Sequence, residues 1–163
     1  LELHDRDQFA IYAYSFGANK ADAMRSRLIE AVDTFADVRA MTDKEVALLA
    51  RSDEIGIAID LTGYTQSNRT GIFAWRAAAI QINFSGYPGT MGADFMDYII
   101  ADKNLIPDRL RHRYSENILC MRNAYMPTDN TRKISSCAFT RADMGLSEDA
   151  FVFCCFNDSY KIK

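Results

Sequence analysis

The residues best suited to chemistry lie near the C-terminus, where the apolar run 150–156 gives way to Asn157, Asp158, Ser159, Tyr160 and Lys161. A buried strand whose C-terminal end delivers an amide, a phenol and a lysine matches the place where open α/β sheets hold their ligands. Lys161 there could neutralise a departing phosphate where no metal does so, with Asn157 and Tyr160 beside it as hydrogen-bonding groups. Two further loops qualify. Asp60-Leu-Thr-Gly-Tyr-Thr-Gln66 follows the run 55–60 and sets Tyr64 and Thr65 on the rim where βα loops meet ligands. The same spacing also describes an ordinary turn with Gly63 at positive φ. Ser85-Gly-Tyr-Pro-Gly-Thr-Met-Gly92 follows the run 80–84, and its glycines let backbone N–H groups approach a ligand closely. It lacks the Lys and Ser/Thr pair of a phosphate-binding loop and the spacing of a dinucleotide fingerprint, which argues against a nicotinamide-dependent oxidoreductase.

Other chemistries find little support. His4 and His112 are the only imidazoles, so no metal-ligand spacing can be assembled and no metal or cofactor is expected. Asp5-Arg-Asp7 has the form of a metal-binding acidic pair, but it precedes the first strand instead of following one. Cys120, Cys137, Cys154 and Cys155 do not form the loop framework of a disulfide-rich protein, and reduced thiols in a cytoplasmic location are expected. The net charge is −3 with no run of basic residues, so nucleic acid is not an expected partner. The longest apolar stretch, 150–156, falls far short of the roughly 20 residues that cross a bilayer. Neither a membrane partner nor a targeting segment is expected.

The elements that must position these residues follow from periodicity. Runs apolar at both alternating positions, as in strands buried on both faces of a parallel sheet, occur at 9–14, 55–60, 80–84, 98–101 and 151–156, with 34–38 and 118–121 weaker. Between them, Met24, Leu28, Ile29, Val32 and Phe35 step at helical spacing, as do Val46, Leu49 and Ala50. Thr42-Asp-Lys-Glu45 has the form of a capping box that starts the second helix, and a third is expected from Asn68 through Phe73 to Arg76. Alternation of strand and helix implies an α/β fold with a Rossmann-like, doubly wound, mostly parallel sheet. The polar stretch after Met126 reads as a linker, 128–140, between a domain at 1–127 and the start of a second at 141–163, with a short helical turn ending near Gly145. Residues 1–7 read as the last turn of an amphipathic helix and position 1 is not Met, so a piece of a longer protein is expected.

At Gly63-Tyr-Thr, Gly86-Tyr-Pro-Gly-Thr, Phe95-Met-Asp-Tyr-Ile-Ile, Tyr114-Ser-Glu and Phe156-Asn-Asp-Ser-Tyr-Lys-Ile, the chain resembles the catalytic region of protein O-linked N-acetylglucosamine transferases. These belong to glycosyltransferase family 41, with the SPINDLY-like O-fucosyltransferases. The resemblance implies most of the N-terminal half of a two-domain GT-B enzyme plus the first strand of its C-terminal half, with tetratricopeptide repeats upstream. It implies UDP-N-acetylglucosamine as donor and Ser/Thr hydroxyls of proteins as acceptors, in an inverting, metal-independent transfer. Lys161 would contact the donor diphosphate as the catalytic residue, and Asp158 and Tyr160 would border the nucleotide. Ser85, Gly86 and Pro88 would line the sugar pocket, with Tyr64 and Thr65 on the acceptor rim. Gln66 and Ser67 replace the Lys and Gly of animal enzymes, and Asp158-Ser159 replaces their Gln-Leu. The short linker in place of the large animal insert favours a bacterial-type member. The family's acceptor-side histidine is expected upstream of residue 1 and is not assigned to His4. The alternatives are a GDP-fucose donor on the same fold and a non-catalytic protein-binding module. The 163 residues alone are expected to be inactive.

Overall fold

A computed structural model of the chain describes residues 1–156 and Asp158. It divides into two compact units, Leu1–Pro127 and Thr128–Lys163. In the first unit, β1 (Tyr12–Ser15), α1 (Ala23–Ala31) and β2 (Thr34–Asp37) form a β-α-β unit whose strands pair in parallel, Tyr12 with Thr34 through Ser15 with Asp37. Asp22 starts α1 by accepting the Arg25 N–H at 2.8 Å. The helix ends before Val32, and Phe35 lies in β2, not in the helix as its spacing suggested. The stretch 32–35 completes the return to the sheet, where β-branched and aromatic residues fit better than in a helix.

The second β-α-β unit carries α2 (Asp43–Ser52), β3 (Ile57–Asp60), α3 (Gly71–Ala74) and β4 (Ile80–Asn83). The expected capping box is formed: Thr42 Oγ1 accepts the Glu45 N–H at 3.3 Å and a Glu45 oxygen accepts the Thr42 N–H at 2.7 Å. Val46, Ala47 and Ala50 on α2 then pack with Val38, Ile72, Phe73, Ala77, Met91 and Met96 in the main core. The third helix is shorter than the expected 68–76. It stops because Arg76 takes a left-handed conformation, φ 54°, that sends its guanidinium to the carbonyls of Phe95 and Ala79 and to Asp97.

Strands β5 (Tyr98–Ala101) and β6 (Asn117–Cys120) extend the sheet in the order β3-β4-β5-β6, every pair parallel. A 3-10 turn, Asp108–Arg113, leads into β6. The connection from β4 to β5 contains no helix. Residues 84–97 instead run as an irregular segment whose Tyr87, Met91, Phe95 and Met96 pack into the main core.

Burial of this sheet departs from expectation. Gln81 and Asn83 are fully buried, while Ile57, Ile59, Ile80 and Leu119 on the opposite face are exposed. One face is covered by α2, α3 and the 84–97 segment and, at β5 and β6, by Leu105, Ile106 and Tyr114; on the other, Ile82 is buried but its neighbours Ile57, Ile59, Ile80 and Leu119 stay exposed. The Gln81 amide makes its burial tolerable: it accepts the Ala77 N–H at 2.8 Å and donates to the carbonyls of Phe73 and Phe95 at 2.9 and 2.6 Å.

Arg76 and Asp97 brace the same corner at 2.8 Å, and Asp97 also accepts the Gln81 N–H at 2.8 Å. Burial pushes the Asp97 carboxyl upward, but the guanidinium and the N–H outweigh it and hold it below the usual carboxylate range. A group depressed in the folded state adds stability above its unfolded value of about pH 4 and loses it as pH falls through the folded value. Urea midpoints measured from pH 7 down to pH 2 are expected to fall across this acid window. Asp97→Asn should lower the midpoint at pH 7 and flatten that fall, whereas a profile parallel to wild type would remove Asp97 from the acid response.

Elsewhere the structure corrects two sequence readings. Residues 1–8 form turns instead of a helix end, tied by His4 Nε2 to Asp33 at 3.1 Å and by Arg6 to Asp33 at 2.6 Å. In the second unit, residues 141–145 make the expected turn, ended at Gly145 with φ 66°. The apolar run 151–156, expected as a buried strand, has no ladder partner among the described residues and leaves Phe151, Phe153 and Phe156 exposed, Phe156 at 98%. A strand needs a neighbour for its N–H and C=O groups, and apolar content alone does not supply one. Cys120, Cys137 and Cys154 are exposed free thiols. Among the described residues, no helix is long and apolar enough to cross a membrane.

Candidate functional site

Asp60 and Asn83 end adjacent parallel strands and pair directly in register. Both are buried, at 4% and 0% exposure, and each organises the loop that follows it. Asp60 Oδ1 accepts the N–H of Thr62 at 2.8 Å, the Thr62 hydroxyl at 2.7 Å and the Gly63 N–H at 3.0 Å, a local turn that bends the chain away from β3. The Asn83 amide donates to the carbonyls of Tyr87 at 2.9 Å and Gly89 at 3.3 Å, curling the glycine loop back over the strand end. Asp60 Oδ2 and Asn83 Oδ1 have no hydrogen-bond partner among the described residues.

The two loops interlock. Gly63 has φ 54°, and a Cβ there would collide with Tyr87 Cβ. A Cβ on Gly86 would collide with the Leu61 carbonyl and lie 3.0 Å from Thr62 Cα. The Gly86 N–H donates to the Leu61 carbonyl at 3.2 Å. Tyr64 stacks edge-to-face on Tyr87 with ring centroids 5.6 Å apart, and its hydroxyl donates to the Met91 carbonyl at 2.9 Å. Ser85 holds φ 76°, a left-handed conformation that costs a non-glycine residue on the order of 1–3 kcal/mol.

The sequence-derived candidates Tyr64, Thr65, Ser85, Gly86 and Pro88 are thus brought to two loops locked together beyond the C-terminal ends of β3 and β4. Thr65 closes its own loop, its carbonyl accepting the Asn68 side chain at 2.7 Å. Asp158, in the second unit, is exposed. Asn157, Tyr160 and Lys161 lie outside the described residues. Asp5 is occupied locally, its carboxylate accepting the Asp7 N–H at 3.1 Å and the Gln8 side chain at 2.5 Å. Among the described residues, no group of three or more His, Cys, Asp or Glu side chains gathers as metal ligands would.

Two features were missed from the sequence. The Asp60-Asn83 pair sits in apolar runs where a polar residue suggests a solvent-facing position, and only the D-x-T-G turn signal points to Asp60. The second is the anchoring of the glycine loop by Tyr114, Ser115 and Glu116. Tyr114 donates its hydroxyl to the Pro88 carbonyl at 3.1 Å, and Glu116 accepts the Met91 N–H at 2.5 Å. Burial, then the charge of Glu116, pushes the Tyr114 phenol upward, which keeps it a donor.

The chain is similar to known proteins over this whole region. Residues 1–138 match glycosyl transferase family 41. The chain is 35% identical over 165 residues to the probable UDP-N-acetylglucosamine–peptide N-acetylglucosaminyltransferase SEC of Arabidopsis thaliana, covering 98% of this chain and 17% of that protein. It is 34% identical over 123 residues to the probable UDP-N-acetylglucosamine–peptide N-acetylglucosaminyltransferase SPINDLY of Eustoma exaltatum subsp. russellianum, covering 73% of this chain and 13% of that protein. Among solved structures it is similar to the K341M mutant of Thermobaculum terrenum O-GlcNAc transferase, with a TM-score of 0.73, 33% identity and coverage of 77% of this chain and 24% of that one. The chain therefore spans a small part of the length of these relatives. With the parallel sheet, the interlocked loops and a match across most of its residues, the chain belongs to glycosyl transferase family 41.

Proposed function

We propose that this chain is part of a longer enzyme that transfers N-acetylglucosamine from UDP-N-acetylglucosamine to Ser or Thr hydroxyls of acceptor proteins. Residues 1–127 form the N-terminal catalytic domain, 128–140 a linker, and 141–163 the start of the nucleotide-binding domain. The acceptor hydroxyl attacks the anomeric carbon from the face opposite the diphosphate, with inversion, and the bond to UDP breaks. No metal takes part. Lys161 stabilises the charge that grows on the leaving diphosphate. The glycine loop orients sugar and hydroxyl through its backbone, a positioning contribution.

The observation that supports this reading is the meeting of Gly63-Tyr64-Thr65 with Ser85-Gly86-Tyr87-Pro88 on one rim. These two separate stretches carry the resemblance to the transferases, and ligands of open α/β sheets bind at such a rim. The test is sugar transfer to acceptor protein by the intact enzyme, supplied in turn with labelled UDP-N-acetylglucosamine and GDP-fucose. Labelling from the first donor, competed by UDP and not by GDP, is the expected result. Labelling from GDP-fucose would replace the donor, and neither transfer nor donor hydrolysis would leave a binding module.

A further inference from the structure

The irregular connection between β4 and β5 raises a physical problem. A loop that lines a pocket must hold its backbone in one conformation, yet residues 88–92 lack the ladder of a helix or strand. Three consecutive residues just before β6 supply the missing bonds. The Tyr114 hydroxyl reaches the Pro88 carbonyl at 3.1 Å, and the Ser115 N–H donates to Thr90 Oγ1 at 3.3 Å. Glu116, 4% exposed, accepts the Thr90 hydroxyl at 2.7 Å and the Met91 N–H at 2.5 Å. Thr90 Oγ1 also accepts the Gly92 N–H at 3.1 Å. The Thr90 hydroxyl is therefore a hub, donating to Glu116 while receiving two backbone N–H groups.

Among the described residues Glu116 is held by neutral donors, the Thr90 and Ser115 hydroxyls and the Met91 N–H. Burying a carboxylate is costly, and one held by charge-assisted bonds to a backbone N–H and a hydroxyl fixes those donors more firmly than a neutral acceptor would. We infer that Glu116 is a positioning residue, which through Thr90 and the Met91 N–H sets the conformation of residues 88–92 and thereby tunes donor binding and transfer. The inference rests on the reading of this loop as a wall of the donor pocket.

Two variants of the intact enzyme test it. Glu116→Gln replaces one acceptor oxygen by a donor amide, and Thr90→Val removes the hub but leaves Glu116 in place. Each should speed amide hydrogen exchange at Met91 and Gly92 roughly tenfold or more, with the amides of β3 unchanged. Each should also raise the donor KM roughly tenfold, an effect that loss of folded enzyme alone does not produce. Thr90→Ser, which keeps the hydroxyl, should return both values to within about threefold of wild type. Thr42→Ala, which weakens only the cap of α2, is the stability control and should leave donor KM unmoved. Unaltered exchange at residues 91 and 92 in both variants would overturn the clamp. Faster exchange with an unchanged donor KM would overturn its role in turnover. If the wild-type enzyme transferred no sugar, the proposed function would fall, and the exchange experiment would still decide the clamp.

Discussion

Replacing Lys161 by Ala in the intact enzyme is expected to reduce turnover roughly 100-fold or more, the scale seen when a preorganised donor to a developing oxyanion is removed. In the proposed transfer, departure of UDP leaves negative charge on the diphosphate. In the proposed mechanism the Lys161 amine meets that charge without reorganising at the moment of reaction. The loss should fall mainly on kcat, since the charge is larger in the transition state than in the bound donor. Lys161→Arg keeps the charge but spreads it over a planar fork, so it should recover only part of the rate. Steady-state sugar incorporation measures this directly, and a Lys161→Ala enzyme within a factor of about three of wild type would remove the residue from the mechanism.

Gly63→Ala is expected to be strongly damaging to the first unit. At φ 54° any L-residue pays roughly 1–2 kcal/mol for the left-handed conformation. The new methyl must also displace Tyr87, whose Cβ occupies the same space and whose Cγ lies 3.3 Å from it. Together these effects should cost about 3 kcal/mol, in the range of substitutions that overpack or strain a special backbone position. For a chain of this size that corresponds to a fall in Tm of roughly 6–12 °C. Tyr87 belongs to the glycine loop, so the strain also moves that loop, and a displacement near 1 Å can cost about 100-fold in turnover. Gly17→Ala meets nothing within 4 Å and serves as the control, expected within about 0.5 kcal/mol of wild type. Equal melting temperatures for the two variants would show that the loops are less tightly locked than their geometry indicates.

How much of this was legible beforehand depended on whether a signal was local. The capping box at Thr42 and Glu45 and the strand at 98–101 were readable because a few neighbouring residues determine each. So were the loops carrying Tyr64 and Ser85, which stand where the runs before them end. The inverted sheet was not. Ile57, Ile59 and Ile80 face outward while Gln81 and Asn83 are enclosed, because the carbonyls and N–H groups of a helix end and an irregular loop must be satisfied from within. That demand comes from chain segments up to 14 residues away, as in the bond from Gln81 to Phe95, and leaves no trace in periodicity. The run 151–156 failed for the opposite reason: its composition suits a strand, but pairing depends on a partner, which composition does not encode. Glu116 was within a quoted motif, yet its bonds to Thr90 and Met91 span 26 and 25 residues and could not be read from it.

The outward isoleucines of β3 and β4 have a consequence for handling the polypeptide. Together with Leu119 they make a greasy plane on a sheet, the kind of surface that monomeric proteins in free solution seldom keep bare. Produced by itself, the chain would be prone to clump, and its solubility would depend on concentration and salt more than its modest negative charge suggests. A helix laid across those side chains would relieve that stickiness and, by the same burial, raise the temperature at which the sheet comes apart.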